Sequence, residues 1–250
     1  MDARRIAGRA FAWAGAVLFA VALTYFLLAY SVTFGEITAG EIDVDAIVFD
    51  VALFSVFALH HSIFARDSVR ATIRRLVPAH LERAVYVWVA SLMLIGVCAA
   101  WRPVSGVVWT VQQPWSWLLT GVQLAGVWLS LRSAVVIDVW ELAGVRHVSA
   151  HSQLQTSTPQ TQSRELEAGG WKFETDGPYG WVRHPIYLGW ILIVFAVGTM
   201  TMTRLVFAVA SSVYILVAIP FEERTLRRNS AGAYDDYMRQ VPSKLLPRVY

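Results

Sequence analysis

Three consecutive positions, Arg183, His184 and Pro185, with Tyr187 two residues further on, stand in the stretch GPYGWVRHPIYLG between a polar linker and a long apolar run. A second polar pair, Glu222 and Glu223 in FEERTL, follows Tyr187 after 35 residues that hold two apolar segments and a short turn. Pro185 alone fits the first turn of a helix, where its missing N–H is no loss. The two sets together offer more. Arg183 or the helix N-terminus suits a carboxylate, Glu222 or Glu223 suits an ammonium, and the flanking Tyr and Trp can stack on a heterocycle or a sulfonium. Such a set recognises a zwitterion that carries an aromatic group, provided the chain brings both halves together.

What positions them is a membrane. Of the 250 residues 56% are hydrophobic and 16% charged, with a mean hydropathy of +0.48, well beyond an ordinary soluble domain. Phe11–Phe34 carries no charge and exceeds the roughly 20 apolar residues that span a bilayer core, so it reads as an uncleaved signal anchor. Further runs at Ala46–Ala65, Ala84–Trp101, Trp115–Ile137, Pro185–Thr203 and Leu205–Phe221 make six candidate segments. None alternates like a barrel strand, so the expected fold is all-α, a multi-pass transmembrane helical bundle whose last two segments form a hairpin. The eleven Trp and nine Tyr suit interfacial anchoring.

Charge sets the orientation. Arg4, Arg5 and Arg9, then Arg66, Arg70, Arg74, Arg75 and Arg83, then Arg224, Arg227, Arg228, Arg239, Lys244 and Arg248 fall on one side if six segments alternate. The other side receives Glu36, Glu41, Asp43 and Asp45, with only Arg102 and Arg204 as basic residues. The positive-inside rule then puts both termini and the His184 region in the cytosol of a cytoplasmic membrane. The net charge of +3 follows from this topology, and no basic stacking platform points to nucleic acid. Cys98 is the only cysteine; it excludes an internal disulfide, and no metal site is expected.

The expected organisation is a four-helix membrane half at 1–137, a linker at 138–176 and a module at 177–250. The linker's Ser, Thr and Gln content predicts a mobile or partly disordered tether, with 149–168 resembling an insertion. The tail from Glu222 to Pro242 predicts a cytosolic amphipathic helix with Leu226, Tyr234, Tyr237 and Met238 on one side. Arg66, Arg70 and Arg74 recur every fourth residue, a basic face for the lipid surface. Arg132 and Asp138 are expected to snorkel or pair, Asp50 to be hydrated near the outer face, and Glu141 and Arg146 to border the site.

Each hairpin arm reaches about 25 to 28 Å at 1.5 Å per residue, which returns Glu222 and Glu223 to the surface where His184 and Tyr187 begin. S-adenosylmethionine has a carboxylate, an ammonium, a heterocycle and a sulfonium, and is one candidate ligand among several. Beyond the residues themselves, GPYGWVRHPIYLG, EERTL, GAYDDY and VPSKLLP resemble the carboxy-terminal module of integral-membrane methyltransferases that act on isoprenylcysteine carboxyl groups or phospholipid amines. That resemblance implies that Arg183, His184, Pro185, Tyr187, Glu222 and Glu223, with Tyr179 and Gly189 of the same element, line an S-adenosylmethionine pocket.

A longer resemblance narrows the acceptor. FALHHSIFARDSVR, HLERAVYVWVASLMLI, WRPVSGVVW and GTMTMTRLVFAVASSVYILVAIPFEER are similar to the bacterial methanethiol S-methyltransferases, with Val139 and Ala143 where that group tends to carry a His and a Phe. The implied reaction is methyl transfer from S-adenosylmethionine to a small thiol, without a metal. His184, His61 and His60 are the candidate bases for the thiol proton. His60 and His61 also read simply as the close of the second helix, at the interface. A lipid acceptor, at a prenylcysteine carboxylate or an amine headgroup, is the alternative enzyme, and a membrane sensor or assembly factor is the alternative outside catalysis. Membrane lipids are the other expected partners, and no obligate protein partner is evident.

Overall fold

The computed structural model describes residues 3–64, 69, 72–146, 173, 175 and 177–247. Helices α1 (Ala3–Ser31), α2 (Val44–Phe64), α3 (Glu82–Ala100) and α4 (Trp115–Ile137) precede a single helical turn at Val139–Leu142. Then come α5 (Pro185–Phe195), α6 (Met202–Asn229) and α7 (Ala233–Gln240). Two short strands, β1 (Val107–Thr110) and β2 (Thr199–Thr201), pair antiparallel. Apart from this ribbon the described chain is essentially all-helical, and α1, α2, α3, α4 and α6 are long and apolar enough to cross a membrane. The protein is an integral membrane protein. The central stretch of the linker and the Arg66 and Arg70 positions of the basic stripe lie outside the described residues.

The expected fifth segment, Pro185–Thr203, is not one continuous helix. α5 has 11 residues, about 16 Å of rise against a hydrocarbon core of about 30 Å. It ends at Phe195 because the next apolar residues do different work. Thr199–Thr201 extends to pair with β1, and Thr201 then caps α6 by accepting the Arg204 N–H at 3.2 Å. The hairpin arms are therefore unequal, one of 11 residues and one of 28. The tail also differs from one amphipathic helix: α6 carries Glu222 and Glu223 and runs to Asn229. Ala231 (φ 48°) and Gly232 (φ 93°) then break the chain before α7.

Chain contacts divide the protein into two units. The first draws on Met1–Leu27, Val56–Ala99 and Ile137–Gly170. In it the Trp88 indole donates to the Phe11 carbonyl at 3.1 Å and stacks on the Phe11 ring, over a space that Gly15 keeps clear. Glu82 pairs with Arg74, and Asp138 with Arg146, the structural pairing expected for Asp138.

The second unit draws on Leu28–Ser55, Ala100–Val136 and Trp171–Tyr250. Its core is aromatic, with Tyr30, Phe34, Trp101 and Phe54 packed around Phe207. Two charged residues read as outer-face groups are buried here. Arg204 donates to the Tyr30, Ser31 and Thr199 carbonyls at 3.0, 2.7 and 2.6 Å, the first two of them orphan carbonyls at the end of α1. Asp50, expected to be hydrated, has no exposed surface and accepts the Arg102 backbone N–H at 2.9 Å. In the same unit α5 crosses α4 at two glycines: a Cβ on Gly189 would lie 2.6 Å from the Gly126 carbonyl oxygen, so backbone meets backbone.

Candidate functional site

The site is built within the second unit, from four stretches of chain. Pro185 begins α5, and the residue before a proline avoids the helical region, so His184 sits outside the helix at φ −124°, ψ 61°. Its backbone N–H and that of Arg183 donate to Lys244 and Ser243 carbonyls at 3.0 and 2.9 Å, which clasps the RHP element to the segment after α7. Glu222 lies 20 residues after Met202 on α6, about 30 Å along the axis, where a spanning helix leaves the hydrocarbon.

The two sets of residues meet as the hairpin length implied, and the glutamates divide. Glu223 is the buried member: its Oε1 accepts from Arg183 Nε at 2.8 Å and from the Tyr234 hydroxyl at 3.4 Å, and lies 3.2 Å from His184 Nε2. Glu222 has a side chain 44% exposed; its Oε2 accepts from the Tyr187 hydroxyl at 2.9 Å and lies 3.9 Å from His184 Nδ1. The His184 and Tyr187 rings stack, centroids 5.5 Å apart and 10° from parallel. One imidazole thus lies between two carboxylates.

Arg183 is occupied by the fold. Besides Glu223, its Nη1 donates to the Val241 and Pro242 carbonyls at 2.8 and 2.6 Å. A guanidinium so engaged is held by the fold, whereas the Glu222 carboxylate stays partly exposed. Tyr179 lies in the turn Gly177–Gly180, and its carbonyl accepts from the Tyr237 hydroxyl at 2.8 Å. Gly189 serves the α4 crossing described above.

Tyr234 and Tyr237, which sequence reading gave only a place on an amphipathic face, are the site's additional residues. Their rings form a buried cluster with Val241, against which Phe173, Leu226 and Met238 pack. Burial, and secondarily the Glu223 charge, pushes the Tyr234 phenol above its ordinary value; burial lifts Tyr237 to about 12, partly offset by Arg183. Both remain donors at neutral pH. The signal was present in the spacing of Tyr234, Tyr237 and Val241, at intervals of three and four, yet such spacing marks packing as often as function.

His60 and His61 belong to the first unit. His61 Nδ1 lies 2.7 Å from the Tyr86 hydroxyl, whereas both ring nitrogens of His60 are buried without a hydrogen-bond partner among the described residues, its ring against Phe64 at 4.2 Å. No group of three or more potential metal ligands occurs among the described residues.

Residues 168–231, which hold Arg183, His184, Tyr187, Glu222 and Glu223, match the isoprenylcysteine carboxyl methyltransferase family. Helices that span a membrane and a module of that family define an integral-membrane methyltransferase. Over 198 residues the chain is 36% identical to methanethiol S-methyltransferase 2 of Bradyrhizobium diazoefficiens, covering 79% of this chain and 72% of that protein. It is 36% identical to the methanethiol S-methyltransferase of Crocosphaera subtropica, covering 76% of this chain and 71% of the other. The corresponding enzyme of Mycobacterium tuberculosis is 38% identical, covering 78% and 75%. The chain belongs to the methanethiol S-methyltransferase family. No solved structure matches it.

Proposed function

We propose that the protein transfers a methyl group from S-adenosylmethionine to a small thiol, methanethiol being the favoured acceptor, at the cytosolic face of the cytoplasmic membrane. The observation that carries the reading is the meeting of His184 and Tyr187 with Glu222 and Glu223, at the point where α6 leaves the hydrocarbon. The exposed Glu222 carboxylate, with Tyr187 holding one of its oxygens, fits the ammonium of the donor. The positive end of the α5 helix dipole suits its carboxylate. Arg183, Tyr234 and Tyr237 hold this arrangement from behind. S-adenosylmethionine supplies an electrophilic methyl group on a sulfonium.

The thiolate is the reactive form of the acceptor, so the chain must take the thiol proton and keep the site dry. The sulfur–methyl bond of the acceptor forms as the sulfonium–methyl bond breaks, and opposite charges neutralise without need of a metal. His184 is the imidazole in the described site, and His60 and His61 are further candidate bases for the thiol proton. The positive-inside distribution of Arg and Lys supports the cytosolic placement of the site and both termini.

The isoprenylcysteine carboxyl methyltransferase match over 168–231 favours a lipid acceptor as the second reading. A mass-spectrometric product screen of the purified protein, offering volatile thiols, prenylcysteine analogues and phosphatidylethanolamine side by side with S-adenosylmethionine, tests both. Methylated small thiol is the expected product. Methylated prenylcysteine or phosphatidylethanolamine alone would overturn the thiol reading, and no product from any acceptor would leave a non-catalytic membrane protein.

A further inference from the structure

We propose that the far end of α6 holds an anionic phospholipid, its phosphate against Arg224, Arg227 and Arg228 and an acyl chain along the apolar stripe that leads to them. This site is separate from methyl transfer and stands without it. α6 has 28 residues, about 42 Å of helix against a hydrocarbon core of about 30 Å, so its last turns lie at headgroup level and beyond. There a cleft of about 290 Å³ is lined by Arg224, Arg227, Arg228 and Asp235.

The charges in the cleft do not balance. Arg227 Nε pairs with Asp235 Oδ1 at 2.7 Å. Arg224 lies over the Phe221 ring at 5.6 Å with no carboxylate partner, and Arg228 has no polar partner among the described residues. Two exposed guanidiniums, one turn apart on the same face, form a fork that suits phosphate oxygens.

The helix face selects a lipid over a free anion. Val213, Val217 and Phe221 are exposed large apolar side chains. At about 100° per residue they and the arginines at 224 and 228 fall within an arc of about 80°, an apolar stripe that ends in two positive charges. A phospholipid has that order of parts, chain then phosphate, and inorganic phosphate uses only the last of them. Net negative charge is required because a zwitterionic choline headgroup would bring its own cation to the cleft.

Native mass spectrometry of the full-length protein in mild detergent, offered equimolar dioleoyl phosphatidylglycerol and dioleoyl phosphatidylcholine, is the test. Phosphatidylglycerol adducts should exceed phosphatidylcholine adducts several-fold, and the R224Q/R228Q double variant should lose that preference. R75Q, which removes an exposed arginine elsewhere, should retain it. Millimolar inorganic phosphate should leave the lipid bound. Should the double variant fail to fold, judged by its melting curve, R228Q alone, at a solvent-exposed position, should still halve the preference or more. Equal occupancy by the two lipids, an unchanged preference in the arginine variants, or displacement by inorganic phosphate would overturn the proposal. None of these readouts depends on methyl transfer.

Discussion

Replacing Glu223 by Gln keeps the shape of the side chain and removes its charge, which isolates what the carboxylate holds. Its Oε1 receives Arg183 Nε at 2.8 Å and the Tyr234 hydroxyl at 3.4 Å, with His184 Nε2 at 3.2 Å. The Arg183 side chain is 4% exposed, so the variant leaves a buried guanidinium without its counter-charge. Removing one member of a buried ion pair costs about 3–5 kcal/mol; the amide oxygen still accepts from Arg183, which puts the expectation near the low end, about 3 kcal/mol. In a chain of this size each kcal/mol moves Tm by roughly 2–4 °C, so Tm should fall by roughly 6–12 °C. Glu222→Gln is the control. With Glu222 44% exposed, solvent screens its partners, and the stability cost should be about 0–1 kcal/mol. Loss of a charged contact worth about 1.5–3 kcal/mol should instead raise the KM for S-adenosylmethionine by roughly tenfold or more. Scanning fluorimetry in detergent and steady-state kinetics on both variants decide the matter. Equal melting points for the two variants, or a Glu223→Gln protein that melts with the wild type, would refute the division of the pair into a buried holder and an exposed ligand.

Gly189→Ala should part α4 from α5, because the new Cβ meets the Gly126 carbonyl oxygen at 2.6 Å and collides with the Ser130 hydroxyl. Overpacking of this kind costs about 1–3 kcal/mol, seen as a lower Tm and folded yield with the KM for S-adenosylmethionine unchanged in the protein that folds. Tyr237 titrates at about 12 in the folded protein against an ordinary value of 10.0, so the unfolded chain loses its proton first. Its contribution to stability is therefore complete below pH 10 and fades as pH rises towards 12; Tyr237→Phe should flatten that alkaline limb in a Tm-against-pH series. An alkaline limb of unchanged slope in the variant would show that Tyr237 is not its source.

Spanning helices were legible because each is a local solution: in lipid a segment must satisfy its own backbone, so a run of apolar residues is enough to call for one. Pro185 as the first residue of α5, and the return of Glu222 to Tyr187 across a hairpin, follow likewise from residue type and chain length. The division of labour between Glu222 and Glu223 does not. They are identical neighbours, set apart only by about 100° of helical rotation, and which of them is buried depends on where α5, α7 and the Val241–Lys244 segment lie. α5 stops at Phe195 although the apolar run continues, because β1, some ninety residues earlier, takes up Thr199–Thr201. Gly189 lies in a motif that reads as ligand binding, yet its missing side chain admits α4. Asp50 and Arg204 look like solvated outer-face charges until the chain folds their backbone partners, Arg102 for one and Tyr30, Ser31 and Thr199 for the other, around them. Hydropathy and helix starts are properties of neighbours in the chain, so sequence alone determined them; burial and pairing belong to groups far apart in it, and only tertiary packing brings those within hydrogen-bond reach.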